Sequence, residues 1–150
     1  MEMELTKVEI FTDGACSGNL GPGGYGTILR CHGIEKELSD GFPETTNNRM
    51  ELTAVIAGLI ELRRPCHLDI YSDSQYFVNG ITKGWAEGWK RRGWKKADGK
   101  PALNSDLWDT LLKELARHEY TIHWVKGHAG HPENERCDAL AVAAYQKYKK

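Results

Sequence analysis

The sequence predicts an α/β fold with a mixed five-stranded sheet, an antiparallel meander followed by parallel strands, flanked by helices. Three observations predict it. Strand-like segments fill the first 45 residues, and helical and strand-like periodicities then alternate to the end of the chain. The 150 residues, 40% hydrophobic and 27% charged, suit one compact domain over 1–150.

The meander is predicted from three runs of β-forming residues, over 7–12, 25–31 and 35–42. A glycine-rich stretch over 13–24 separates the first two runs and predicts a hairpin-like loop. His32-Gly33 supplies the second turn. Consecutive strands joined by such short turns pair antiparallel.

A helix is predicted from Thr46 to the Arg-Arg-Pro at 63–65, with an apolar stripe of Leu52, Val55, Ile56, Leu59 and Ile60. The same periodicities predict the remaining elements. In chain order these are a strand over 67–72, a helix over 74–81, a helix over 107–115, a strand over 120–125 and a helix over 137–148.

Several classes of protein are excluded or disfavoured. No apolar run of about 18 residues could cross a bilayer, and the first residues lack the basic and apolar regions of a signal peptide. The four cysteines are too scattered for a zinc site or a disulfide framework. We therefore expect a cytoplasmic protein with free thiols and no membrane partner. Without a heptad repeat, we expect a monomer.

Charge is segregated along the chain. Residues 1–75 carry 6 basic and 12 acidic side chains, a net charge of −6, whereas residues 76–150 carry 14 and 9, a net charge of +5. The overall charge of −1 hides this asymmetry. It predicts an acidic cluster in one region and a surface for a polyanion in another.

Four carboxylates stand at positions that favour a shared site. Asp13 and Asp73 close predicted strands, Glu51 lies early in the first helix, and Asp138 lies early in the last. Groups at the carboxyl ends of neighbouring strands line one crevice in an open α/β sheet. Ionised carboxylates about 4 Å apart would repel by roughly 4 kcal/mol per pair at an effective dielectric near 20. Mg²⁺ or Mn²⁺, which prefer such ligands, would offset this repulsion.

Taken singly, each carboxylate also suits a turn or the first turn of a helix. Five ordered motifs decide between the readings: Phe-Thr-Asp-Gly at 11–14, Asn-Asn-Arg-Met-Glu-Leu at 47–52, Tyr-Ser-Asp-Ser-Gln-Tyr at 71–76, Val-Lys-Gly-His-Ala-Gly-His at 125–131 and Asn-Glu-Arg-Cys-Asp at 134–138. Together they closely resemble the bacterial type 1 ribonuclease H family, over nearly the whole chain.

The resemblance implies a ribonuclease H-like fold and an endonuclease that hydrolyses the RNA strand of RNA–DNA hybrids. It implies two-metal-ion catalysis, with two Mg²⁺ ions bound in the presence of substrate, Mn²⁺ as a possible substitute, and 5′-phosphate and 3′-hydroxyl products. By likeness Asp13, Glu51, Asp73 and Asp138 are catalytic metal ligands. His128 matches the catalytic-loop histidine, and an imidazole can relay protons near neutral pH.

The resemblance also implies contacts to the hybrid. Cys16, Asn19, Asn47, Asn48 and Gln75 would touch its minor groove. Amide side chains both donate and accept hydrogen bonds, which suits 2′-hydroxyls and base edges there. In addition, Thr46 and Asn104 would hold a phosphate of the DNA strand.

A second constellation is the tryptophan- and lysine-rich segment over 83–100, with 7 basic and 2 acidic residues. It resembles the basic protrusion of the bacterial family and favours phosphate binding. Its predicted substrate-binding residues are Trp85, Trp89, Lys90, Arg91, Lys95 and Lys96. Trp85 and Trp89 are one helical turn apart and also suit burial in the core. Gly84 lengthens this segment by one residue relative to the family form.

Two alternatives stay open, one from another class of protein and one a different enzyme. One is a hybrid-binding module without activity, which would have no need for four carboxylates facing a polyanion. The other is an integrase-like or junction-resolving DNA nuclease of the same superfamily. Parallel cleavage of a hybrid, a DNA duplex and an RNA duplex separates all three.

Overall fold

The architecture is described from a computed structural model, over residues 5–18, 20–126 and 130–149. The strands are β1 (Thr6–Cys16), β2 (Gly21–Cys31), β3 (Ile34–Thr45), β4 (Cys66–Ser72) and β5 (Glu119–Trp124). The helices are α1 (Asn47–Ile60), α2 (Gln75–Thr82), α3 (Trp85–Arg91), α4 (Ser105–Leu115) and α5 (Pro132–Tyr145). A short 3-10 turn, Gln146–Tyr148, follows α5.

The five strands form one mixed sheet in the order β3-β2-β1-β4-β5. β1 pairs antiparallel with β2, and β2 pairs antiparallel with β3. β4 lies parallel to both β1 and β5. This arrangement confirms the predicted fold class of an antiparallel meander extended by parallel strands and flanked by helices.

Strand alternation divides the apolar residues between two clusters, one on each face of the sheet. Ile10 and Ile70 belong to the larger cluster, together with residues of α1, α2 and α4. Phe11, the next residue of β1, belongs to the smaller cluster, with Ile28 and Cys137 of α5. Successive side chains of a strand point to opposite faces, so each face carries its own layer of helices.

The predicted glycine-rich loop over 13–24 is wrong in extent. β1 continues to Cys16 and β2 begins at Gly21, so most of the predicted loop is strand. The cause is long-range packing. A Cβ placed on Gly24 would lie 2.5 Å from the carbonyl oxygen of Ala141, because α5 lies directly on this part of β2.

Two helix boundaries also differ from prediction. α1 ends at Ile60, and the Ile60 side chain is 60% exposed instead of completing the apolar stripe. α5 begins at Pro132, five residues before the predicted start, so Asp138 lies in its second turn. Proline suits this first position because its missing N–H would have no partner within the helix.

All four cysteines are free thiols, as predicted. Among the described residues, no helix has the length and apolar character needed to cross a membrane.

Candidate active site

The parallel pairing of β1 and β4 brings two of the predicted carboxylates together. The paired register ends at Phe11 and Tyr71, and each acidic residue stands two positions further along its own strand direction. Asp13 is 4% exposed in β1, and Asp73 follows directly after the last residue of β4. The expected shared crevice at the carboxyl ends of neighbouring strands is therefore present.

Helix α1 supplies the third carboxylate. The Thr46 side chain caps the helix by accepting a hydrogen bond from the Arg49 N–H at 3.2 Å. Glu51, in the following turn, is 5% exposed and accepts a hydrogen bond from the Gly14 N–H. Position 14 has no room for a side chain, because a Cβ there would lie 2.5 Å from the Glu51 nitrogen. Glycine therefore lets α1 approach β1 closely enough to place Glu51 beside Asp13.

Ligand oxygens of Asp13, Glu51 and Asp73 all lie within 4.8 Å of one another. Burial raises the pKa of Asp13, and the charges of Glu51 and Asp73 raise it further. Burial likewise raises the pKa of Glu51, followed by the charge of Asp73, although hydrogen bonds from Asp13 and Gly14 oppose these effects. Without a cation the cluster therefore retains protons at pH values where exposed carboxyls are ionised.

Asp138 of α5 faces the same site, and its charge contributes to the raised pKa of Asp13. It is exposed and lines a cleft of about 560 Å³ together with the other three carboxylates. Four of the predicted substrate-contacting residues also line this cleft: Cys16, Asn47, Asn48 and Gln75. The structure thus places carboxylates and amide donors in one open depression.

Thr46 and Asn104, the predicted phosphate-binding pair, are connected through Arg49. The Arg49 guanidinium donates to the Asn104 side-chain oxygen at 3.1 Å and to both Asp106 oxygens, at 2.8 and 3.1 Å. The Asn104 amide in turn donates to the Tyr76 hydroxyl at 3.1 Å. Arg49 lies within the Asn-Asn-Arg-Met-Glu-Leu motif, but its partners are 55 and 57 residues away and could not be read from that motif.

The two candidate tryptophans of the basic segment differ in burial. Trp85 is 43% exposed, with the Lys83 ammonium 5.6 Å from the centre of its ring, so the core interpretation is wrong for Trp85. Trp89 is partly buried and meets Trp108 edge-on, with ring centroids 6.0 Å apart. Lys90, Arg91, Lys95 and Lys96 are all exposed. Lys90 lies 3.6 Å from Asp109.

Two predicted site residues, Asn19 and His128, lie outside the described residues, and their roles stay predictions. His131 precedes α5 and packs against Phe11 and Tyr71, with its ring centroid 5.6 and 5.2 Å from theirs.

The donor set fits a hard divalent cation. It consists of carboxylate oxygens, burial and mutual repulsion raise the pKa values of Asp13 and Glu51, and it opens to solvent through the cleft. A cluster of carboxylates at the ends of neighbouring parallel strands is typical of metal-dependent enzymes that hydrolyse phosphate esters.

Comparison with known proteins identifies the family. The family model for RNase H matches residues 5–146. A ribonuclease H of Chelativorans is 58% identical over 97% of this chain and 90% of its own length, and one of Agrobacterium fabrum is 58% identical over 97% and 99%. Among solved structures, LC9-RNase H1, a type 1 RNase H with the type 2 active-site motif, superposes with a TM-score of 0.85 at 32% identity, over 99% of this chain and 76% of that one. The chain belongs to the RNase H family.

Proposed function

We propose that this protein is an endonuclease that hydrolyses the RNA strand of RNA–DNA hybrids, leaving 5′-phosphate and 3′-hydroxyl ends. One observation carries the proposal. The ligand oxygens of three carboxylates converge within 4.8 Å in a cleft that amide side chains also line. Membership of the RNase H family supports the reaction class.

Asp13, Glu51, Asp73 and Asp138 would hold the divalent cations, two Mg²⁺ ions in the presence of substrate, with Mn²⁺ as a substitute. Bound cations of this kind lower the pKa of an attacking water and stabilise charge on the transferring phosphate. The protein's own contribution is to hold four acidic groups in place before a cation arrives. The cleft keeps them open to the backbone of a long substrate.

Substrate selection would fall to the polar residues around the carboxylates. Asn47, Asn48 and Gln75 are exposed at the cleft and offer both donors and acceptors to 2′-hydroxyls and base edges. The Cys16 thiol donates to the Thr45 carbonyl at 3.3 Å, and this small side chain lines the same cleft. Asn19 would complete these contacts. The 2′-hydroxyl is the group by which such a surface distinguishes RNA from DNA.

The DNA strand would be held by a phosphate contact at Thr46 and Asn104. Arg49 supports this proposal because it binds the Asn104 side chain and lies beside the Thr46 cap. Its charge is shared with Asp106, so the site is polar without being strongly cationic. His128 would relay protons at the scissile phosphate.

Affinity for the duplex would come from the basic segment. Trp85 would contact sugar or base, with Trp89 beside it as a largely structural support. Lys90, Arg91, Lys95 and Lys96 would contact phosphates, with a marked salt dependence. We further propose that 1–150 is one catalytic domain that acts as a monomer in the cytoplasm.

The proposal is tested with uniformly labelled RNA–DNA hybrid, DNA duplex and RNA duplex, each incubated with and without Mg²⁺. We expect cleavage of the RNA strand of the hybrid alone, and only with the cation. Asp73→Asn should remove nearly all activity. Glu61→Gln, an exposed change at the far end of α1 from Glu51, should retain it. Cleavage of the DNA duplex at an equal rate would instead favour a junction-resolving or integrase-like nuclease, and binding without cleavage a silent module.

A further inference from the structure

The pairing of β1 with β4 ends just before the carboxylate cluster. The parallel pairs run from Thr6 and Cys66 to Phe11 and Tyr71. Asp13 and Asp73 each lie two positions beyond that last pair. At this point the Thr12 hydroxyl of β1 makes a long hydrogen bond, 3.5 Å, to the Tyr71 carbonyl of β4.

The Asn134 side chain from α5 connects β1 and β4 at the same point. It is 0% exposed, and its amide nitrogen donates to the Thr12 carbonyl at 3.2 Å and to the Tyr71 carbonyl at 3.1 Å. One side chain thus binds the residue before Asp13 in β1 and a residue two before Asp73 in β4. Its carbonyl oxygen is buried and has no hydrogen-bond partner among the described residues.

Asn134 also lies four residues before Asp138, on the same face of α5. The Asn134 amide therefore connects the three elements, β1, β4 and α5, that carry Asp13, Asp73 and Asp138. An apolar residue at this position would remove the donor from the Thr12 and Tyr71 carbonyls. The two hydrogen bonds therefore stabilise the packing of α5 and at the same time fix the two strand ends beside the site.

We propose that Asn134 is a positioning residue that sets the spacing of Asp13, Asp73 and Asp138 for cation binding, an inference that rests on the proposed metal site. Loss of its two hydrogen bonds would let the strand ends separate and let α5 move relative to both. The cation would then meet the same ligands at the wrong distances. Groups that orient metal ligands typically change metal affinity by about 10- to 100-fold when they are removed.

Cys137 offers a matched control. Its thiol, also buried, donates to the Phe11 carbonyl at 3.2 Å, so it too ties α5 to β1 next to the site. Within the described part of the chain, its thiol makes no hydrogen bond to β4. Cys137→Ala therefore weakens the packing of α5 without releasing the bridge between the two strands.

The experiment measures Mn²⁺ binding by calorimetry, without substrate, for the parent protein, Asn134→Leu, Asn134→Ser and Cys137→Ala. Asn134→Leu keeps the branching at Cγ and removes both donated hydrogen bonds, whereas Asn134→Ser keeps one hydroxyl donor. We expect the Mn²⁺ dissociation constant to rise at least 10-fold for Asn134→Leu, less for Asn134→Ser, and less than twofold for Cys137→Ala. Steady-state cleavage at saturating Mg²⁺ should show a lowered kcat with the KM for hybrid within about twofold, because the amide does not touch the nucleic acid.

Dissociation constants within twofold of the parent for both Asn134 variants would overturn the inference, as would failure of both to fold. The proposed function is judged separately, on the parent protein. If the parent bound no Mn²⁺ and cut no hybrid, the proposed function itself would be wrong. If the parent did both and the Asn134 variants behaved like Cys137→Ala, only the positioning role would be wrong.

Discussion

Asp13→Asn should stabilise the metal-free protein at neutral pH while removing its activity. The wild-type carboxyl is buried, and its ligand oxygen lies within 4.8 Å of those of Glu51 and Asp73. Two ionised groups at that separation repel by about 3 kcal/mol at an effective dielectric near 20. The amide has the same shape, carries no charge and can still donate to Glu51, so it removes the repulsion without opening a cavity.

The gain should depend on pH in a defined direction. The folded-state pKa of Asp13 is raised above its ordinary value of 3.8 by burial and then by its acidic neighbours. A carboxyl with a raised pKa contributes its full stability below its unfolded pKa and loses it as the pH rises toward the folded pKa. For each extra proton that the folded state binds in this pH window, the free energy of unfolding falls by about 1.4 kcal/mol per pH unit. Between pH 5 and pH 7 the advantage of Asp13→Asn should therefore grow by about 2 to 3 kcal/mol.

Urea unfolding in EDTA, followed by circular dichroism at pH 5, 6 and 7, measures this difference. Glu61→Gln, at an exposed carboxyl just after the end of α1, is the control and should show no comparable trend. Addition of Mg²⁺ should raise the stability of the wild-type protein more than that of Asp13→Asn. An advantage that stayed constant or shrank from pH 5 to pH 7 would refute the electrostatic account of the cluster.

The remaining predictions concern stability and binding outside the cluster. Arg30 contacts Glu9, Glu35 and Glu133 at 2.8 to 3.4 Å, so Arg30→Met should cost about 1 to 2 kcal/mol in urea unfolding, and less in 1 M NaCl; equal losses at both salt concentrations would contradict it. Burial lowers the pKa of His118, whose Nδ1 accepts the Cys66 N–H at 2.9 Å. The stability it contributes is present above pH 6.5 and is lost as the pH falls through the lowered pKa, so His118→Gln should flatten the fall in Tm between pH 7 and pH 5. Trp85→Ala should weaken hybrid binding with Tm and salt slope almost unchanged, because the ring is exposed; a fall in Tm of many degrees would show a core role. In the quadruple alanine variant of Lys90, Arg91, Lys95 and Lys96, the slope of log affinity for the hybrid against log salt concentration should flatten by up to roughly 0.9 per phosphate contact removed. An unchanged slope would exclude this surface as the phosphate-binding site.

Local periodicity predicted the order and type of nearly every element of the fold. The alternation of apolar residues in β1 and the spacing of Leu52, Val55 and Leu59 in α1 each reflect burial of one face. A face that is buried produces a regular pattern of apolar residues, which can be recognised in the sequence. The prediction of a loop over the glycine-rich stretch failed because some of its glycines allow close packing instead of a turn. Gly24 accommodates the backbone of α5, which is more than 100 residues further along the chain, and no local pattern reveals that contact.

The acidic site was predictable because its members are charged and stand at strand ends and helix starts. Asp13 and Asp73 lie close together if their strands are neighbours, and β1 and β4 do pair in parallel. Its supporting groups were not predictable in the same way. The partners of Asn134 are backbone carbonyls 122 and 63 residues away, which carry no sequence signal. Only the spacing of Asn134 four residues before Asp138 hinted at a common face.

Analysis of the products from one hybrid tests the central claim most directly, that the carboxylate cluster cuts the RNA strand. The substrate carries different labels on its two strands, and the RNA of a matched duplex carries 2′-O-methyl groups around the scissile bond. In Mg²⁺ the parent should yield RNA fragments with 5′-phosphate and 3′-hydroxyl ends, leave the DNA intact and spare the methylated duplex. Glu51→Gln should retain less than a tenth of that rate at saturating substrate. Cleavage of the DNA strand, equal cleavage of the methylated duplex, or more than a tenth of the activity in Glu51→Gln would contradict the claim.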